Sequence, residues 1–115
     1  MTYRYKEMVK IIAKRIKKMD LLQTIDDLIR FRTETGNAEE IAKAAEYIKN
    51  KFAGTSAQVE IFQTTASPVV FIRNTDSLDF DVIVLGHIDV VPAADEMFNP
   101  IIKDGKMYGR GTLDM

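Results

Sequence analysis

The sequence contains no cysteine. A disulfide framework and a thiolate metal site are therefore both excluded, any metal would fall to His, Asp and Glu, and a reducing cytoplasm is the expected location. Histidine is nearly absent as well, with one in the whole chain. Apolar runs are short, the longest being strand-like stretches such as residues 82–85, far below the roughly 18 to 20 residues that a membrane span requires. The first 30 residues lack the uninterrupted apolar stretch of a secretory signal. Charge of one sign is also scarce overall: the net charge of −1 gives no electrostatic reason to expect nucleic acid or an anionic membrane as partner.

That balance is uneven along the chain. Residues 1–18 hold seven Lys or Arg and one Glu, a surplus of +6 that the remaining residues offset. What is present is otherwise ordinary for a soluble globular protein, with 46% hydrophobic and 29% charged residues in 115, so one domain over residues 1–115 is expected. Tyr5, Met8, Val9, Ile12, Ile16 and Met19 recur at helical spacing among the basic residues, predicting a basic amphipathic helical extension over residues 1–19 that packs on its parent domain. Asp20 can cap a second helix whose apolar face is Leu21, Leu22, Ile25, Leu28 and Ile29.

Residues 33–36 read as a loop. Asn37 followed by Glu40 resembles a capping box, and Ile41, Ala44, Ala45, Ile48 and Phe52 mark a helix face that stops at Gly54. Residues 58–62 and 69–72 are then strands by alternation and by β-branched content, and residues 81–85 are apolar on successive positions, as in a strand covered on both faces. The order, helices followed by strands of a mixed sheet, predicts a layered α/β fold.

His87 follows that last strand directly, at the end where open α/β sheets gather their ligand sites. Asp89 is two residues on, so both side chains share one face of an extended segment. A carboxylate there can accept one ring N–H, fix the tautomer and leave the other nitrogen free for a metal. From these two residues alone, an ordinary surface pair is the commoner explanation. Asp104-Gly105 reads as a tight hairpin turn. Gly109 and Gly111 flank Arg110 where backbone must bend sharply, and Arg110 is open to two readings, an anion contact or an ion pair with Asp104 or Asp114.

The longer constellation is more specific. GHIDVVP at 86–92, Phe98, Pro100 and IKDGKMYGRGTLDM at 102–115 resemble the signature of the M20 metallopeptidase and deacylase family, whose members include succinyl-diaminopimelate desuccinylases, acetylornithine deacetylases and aminoacylases. The stretch with Phe31, Arg32, Thr33 and Gly36 is similar to the start of the same family's catalytic domain, whereas residues 93–97 form a shorter loop than is common there and lack its Trp. The resemblance implies that the chain is the N-terminal part of a zinc-exopeptidase-like catalytic domain, without the lid and dimerisation domain. It assigns His87 as a metal ligand, Asp89 as the catalytic carboxylate that orients it, and Asp114 as the carboxylate bridging two ions; no substrate-binding residue is assigned.

The implied cofactor is a pair of zinc ions, with cobalt or manganese as alternatives, and the implied reaction is hydrolysis of an amide in an N-acyl amino acid or small peptide through a metal-activated water. An adjacent Glu pair and the later ligands of the family have no counterpart before Met115, so the chain alone is expected to be inactive. Cutting such a sheet exposes an edge, and self-association is expected. The alternative from another class is a degenerate, non-catalytic binding or assembly module of the same fold.

Overall fold

Apolar residues three and four apart close α1 over Leu21–Arg30, and Arg30 in its last turn meets the negative end of the helix and the Asp26 carboxylate at 2.6 Å. Of the expected apolar face only Ile29 is buried; Leu21 and Leu22 stay exposed. This computed structural model describes residues 6–7, 9–10 and 21–115. Those first four positions are helical, but the rest of the basic helix expected over residues 1–19, and its neighbour Asp20, lie outside the described residues.

The chain turns at residues 31–37 and enters α2, Ala38–Lys51. Asn37 caps it as expected, its side-chain oxygen accepting from the Glu40 N–H at 3.4 Å. The reciprocal arm of a capping box goes elsewhere. Glu40 Oε2 accepts from the Arg32 N–H at 3.2 Å, while the Asn37 N–H donates to the Glu34 carbonyl at 2.8 Å. With Asn37 Nδ2 donating to the Arg32 carbonyl at 3.0 Å, the cap ties the helix to the preceding turn. Lys43 first, and then the Arg32 N–H, hold the Glu40 carboxyl below its ordinary range. The helix ends at Lys51 rather than at Gly54, with Phe52 as its C-cap, and Gly54 supplies the positive φ of 74° in the turn that follows.

The two helices are joined by Phe31 and Tyr47, whose rings lie 5.4 Å apart, and by the Tyr47 hydroxyl donating to Asp27 at 2.7 Å. That bond is the main reason the Asp27 carboxyl lies below its usual range. Beyond α2, β1 (Gln58–Phe62) and β2 (Val69–Arg73) pair antiparallel in the register Gln58↔Arg73 to Phe62↔Val69 and pack against α2. Val59 and Ile61 of β1 are half-buried and Glu60 is exposed, the alternation its sequence carries. The core is small: Ile29, Ile41, Ala44, Ala45 and Phe98, with Thr33 as its buried polar member among the described residues.

Residues 81–85 depart from expectation. They form no ladder, and Val82, Ile83, Val84 and Leu85 are 77%, 66%, 88% and 86% exposed. A strand buried on both faces needs strands beside it and helices over it. The described strands form two separate two-stranded hairpins, β1–β2 and β3–β4, and residues 81–85 pair with neither. The second hairpin joins β3 (Ile101–Lys103) to β4 (Lys106–Tyr108) through Asp104 and Gly105, with φ of 52° and 72°. Positive φ at both central residues is the turn that an Asp-Gly pair favours. The architecture is thus a mixed helix-and-strand α/β piece with small antiparallel sheets.

Candidate functional site

The segment carrying His87 and Asp89 is held by a strap from the α1–α2 turn. The Val90 N–H donates to the Thr33 carbonyl and the Thr35 N–H to the Val90 carbonyl, each at 2.9 Å, making a single parallel bridge between Glu34 and Val90. Thr33 adds its hydroxyl, which donates to the Ile88 carbonyl at 2.6 Å. Three hydrogen bonds therefore fix residues 88–90 against a turn that is itself fixed to the cap of α2. Sequence reasoning read residues 33–36 simply as a loop. No local pattern marks Thr33 and Thr35, because their bonds to residues 88–90 cross more than fifty positions.

On this frame the three expected site residues meet. His87 Nδ1 lies 3.2 Å from Asp89 Oδ1 and 2.9 Å from the Asp89 carbonyl oxygen, and His87 Nε2 lies 3.5 Å from Asp114 Oδ1. The imidazole thus stands between two carboxylates, one at each nitrogen. With Nδ1 as the donor toward Asp89, the Nε2 lone pair points to the Asp114 side. Asp89 Oδ2 is occupied too, accepting from the Thr35 hydroxyl at 2.9 Å. All three site side chains are reached by solvent, Asp114 most of all at 89%.

Asp114 reaches His87 because the chain doubles back after β4. The Arg110 N–H donates to the Met97 carbonyl at 2.8 Å, and Thr112 closes a turn on the Gly109 carbonyl. A Cβ on Gly109 would come within 3.0 Å of Ile29 Cγ2; one on Gly111, where φ is 89°, would meet Val90 Cγ1 at 3.3 Å. The glycines therefore allow the returning chain to lie directly on α1 and on the His87 segment. Arg110 makes an ion pair with neither Asp104 nor Asp114 among the described residues, and its Nε is buried without a partner. Its side chain borders the two clefts that meet at His87. One, of about 250 Å³, is lined by Thr35, Asp89, Arg110 and Asp114; the other, of about 270 Å³, is lined mainly by apolar groups including Ile25, Leu28 and Ile88.

The short loop before β3 is organised by Arg32. Its guanidinium bonds Asp95, reaches Glu34 Oε1 at 3.0 Å and the Ala93 carbonyl at 3.3 Å, and lies over the Phe98 ring at 5.0 Å. The Asp95 bond, and Glu34 after it, raise the Arg32 pKa. Phe98 is drawn into the core at the end of a 3-10 turn, Asp95–Phe98.

Whether these residues suit a metal can be tested on the donor set. Two donors of a tetrahedral zinc ion, each roughly 2.0–2.2 Å from it, are about 3.3–3.5 Å apart. The His87 Nε2 to Asp114 Oδ1 separation of 3.5 Å matches one such edge. Two donors do not enclose an ion, and among the described residues no group of three or more His, Cys, Asp or Glu side chains gathers to hold one. The fit is that of half a site.

Comparison with known proteins places the chain beside one family. Residues 83–115 match the family model described as Peptidase family M20/M25/M40. The chain is 35% identical over 106 residues to the succinyl-diaminopimelate desuccinylase of Rickettsia prowazekii (strain Madrid E), covering 79% of this chain and 26% of that protein. It is 27% identical over 106 residues to a probable succinyl-diaminopimelate desuccinylase of Staphylococcus epidermidis (strain ATCC 12228 / FDA PCI 1200), covering 87% and 25%. Over 34 residues it is 59% identical to the succinyl-diaminopimelate desuccinylase of Sulfurovum sp. (strain NBC37-1), covering 26% and 9%. The chain spans about a quarter of the length of the first two of these curated relatives. Among the described residues no helix is long and apolar enough to cross a membrane.

Proposed function

For a chain of the M20 peptidase and deacylase family, we propose the role of N-terminal portion of the catalytic domain of a metal-dependent amidohydrolase acting on an N-acyl amino acid or small peptide. The observation that carries this reading is the imidazole of His87 set between Asp89 at Nδ1 and Asp114 at Nε2. Asp89 accepts the Nδ1 proton and so presents the Nε2 lone pair; His87 and Asp114 would then hold a zinc ion, with the second oxygen of Asp114 available to a second ion. Bound metal would supply Lewis acidity toward the scissile carbonyl and make water easier to deprotonate. This chain's own contribution is to hold the two donors at one edge of the coordination sphere and to keep the ring in one tautomer.

Hydrolysis also needs a general base, and none is assigned to a residue of this chain. Turnover is accordingly proposed for a longer protein, with the 115-residue chain inactive alone. The relatives' names make a succinylated amine of diaminopimelate the first substrate to offer. Zinc titration calorimetry of the chain and of His87→Ala tests the ligand assignment directly. Binding that His87→Ala abolishes supports it; equal binding by both proteins removes His87 from the site. Absence of binding in either would show that His87 and Asp114 need further ligands to hold the ion.

A further inference from the structure

The Asp89 carboxylate can share in holding the His87 Nδ1 proton only while it keeps its orientation, and the rotation of an aspartate carboxylate is soft. The Asp89 side chain is 42% exposed, so packing does not lock it. The constraint comes from the strap. Oδ1 faces His87 Nδ1 at 3.2 Å while Oδ2 accepts the Thr35 hydroxyl at 2.9 Å, and this second bond sets the plane of the carboxylate. Thr35 is held by its own backbone N–H on the Val90 carbonyl at 2.9 Å, so its hydroxyl has a fixed origin. The same hydroxyl lies 3.4 Å from the Val90 carbonyl oxygen, a longer and weaker alternative.

We propose that Thr35 is a positioning residue of this site, acting through Asp89 to keep the neutral His87 ring protonated on Nδ1 and its Nε2 free. The proposal rests on the reading of His87 as a metal ligand only for its consequence, not for the hydrogen-bond relay itself. A competing anchor exists in the Asp89 carbonyl oxygen, 2.9 Å from Nδ1, which would fix the tautomer without Thr35. The two accounts separate on one substitution. Thr35 is exposed and its backbone bond survives, so Thr35→Val removes the hydroxyl with little effect on folding.

His87 is the chain's only histidine, so its two ring nitrogens give unambiguous signals in a long-range ¹H–¹⁵N spectrum. Recorded without metal at one pH where the ring is neutral, wild type and Thr35→Ser are expected to show mainly the Nδ1–H form, and Thr35→Val a shift toward the Nε2–H form. Zinc affinity should fall about 3- to 10-fold in Thr35→Val, less than the 10- to 100-fold typical of losing a ligand's direct partner, and recover to within about twofold in Thr35→Ser. An unchanged tautomer ratio in Thr35→Val overturns the proposal in favour of the Asp89 carbonyl. If the ratio shifts but His87→Ala binds zinc as wild type does, the relay stands and the metal-ligand reading falls.

Discussion

Thr33→Val is the substitution that most directly tests how the helical half of the chain holds the His87 segment. Thr33 is 4% exposed, and its hydroxyl donates to the Ile88 carbonyl at 2.6 Å. Valine has nearly the same shape and the same β-branching, so the change opens no cavity and imposes no new backbone preference. What it removes is one hydrogen bond, leaving an acceptor in a half-buried place without its partner. Loss of a bond of this kind costs about 1–3 kcal/mol when the remaining group is cut off from water, and the partial exposure of Ile88 argues for the middle of that range, about 2 kcal/mol. The folding equilibrium should therefore fall by about 30-fold.

Urea denaturation measures this. With a slope of about 1.5 kcal/mol per molar for a chain of this size, the midpoint should drop by about 1.3 M at unchanged slope. Thr33→Ser, which keeps the hydroxyl and loses a methyl group, should cost about 1 kcal/mol or less. A Thr33→Val midpoint within about 0.3 M of wild type, with Thr33→Ser the more damaged variant, would show that the methyl group holds the strap and the hydroxyl is incidental.

Two further outcomes follow from the helices. Asn37→Ala should destabilise the chain by about 1 kcal/mol through loss of the cap on the Glu40 N–H, whereas Asn37→Asp should keep that bond and lose only the one from Nδ2 to the Arg32 carbonyl; thermal melts of the pair that coincide would contradict the capping geometry. Tyr47→Phe should cost about 1 kcal/mol near neutral pH, by removing the bond to a partly exposed carboxylate. Because that bond lowers the folded pKa of Asp27, its contribution is fully present above the unfolded aspartate value of about 4 and fades as pH falls through the lower folded value, so the wild-type advantage should shrink below about pH 4. An advantage that grows on acidification would reverse the sign of the argument.

Local chemistry is what the sequence displayed most openly. Asn37 announced the start of α2, Asp104-Gly105 the turn of the second hairpin, and the alternation of Val59 and Ile61 the inner face of β1. Each depends on residues within a few positions of one another. The strap did not show itself, because pairing Thr33 and Thr35 with residues 88–90 is a contact across more than fifty positions that neither segment's composition announces. The Glu40 side chain was misassigned within its own motif for a related reason: the turn brings the Arg32 N–H to the carboxylate, which then leaves the N–H of Asn37 to the Glu34 carbonyl. The strand expected at residues 81–85 failed on the same ground, since periodicity describes what a segment can bury and not whether a partner is there.

The site divides along that line too. The spacing of His87 and Asp89 was enough to foresee that their side chains share a face, and Asp89 does reach Nδ1. Nothing in spacing linked either residue to Asp114; that connection came only through the family resemblance, and the structure gives it a physical route. Gly109 and Gly111, lying against Ile29 and Val90, let the chain after β4 return over α1, and the return carries Asp114 to Nε2. The glycines are therefore part of how the candidate ligand edge is built, although they bear no chemistry. The same return leaves the Arg110 Nε buried and unpaired beside the cleft, and leaves Val82 to Leu85 uncovered immediately before His87. The donor pair of His87 and Asp114 thus sits between a buried, unpartnered guanidinium nitrogen and an uncovered apolar run, each set there by the path of the same backbone.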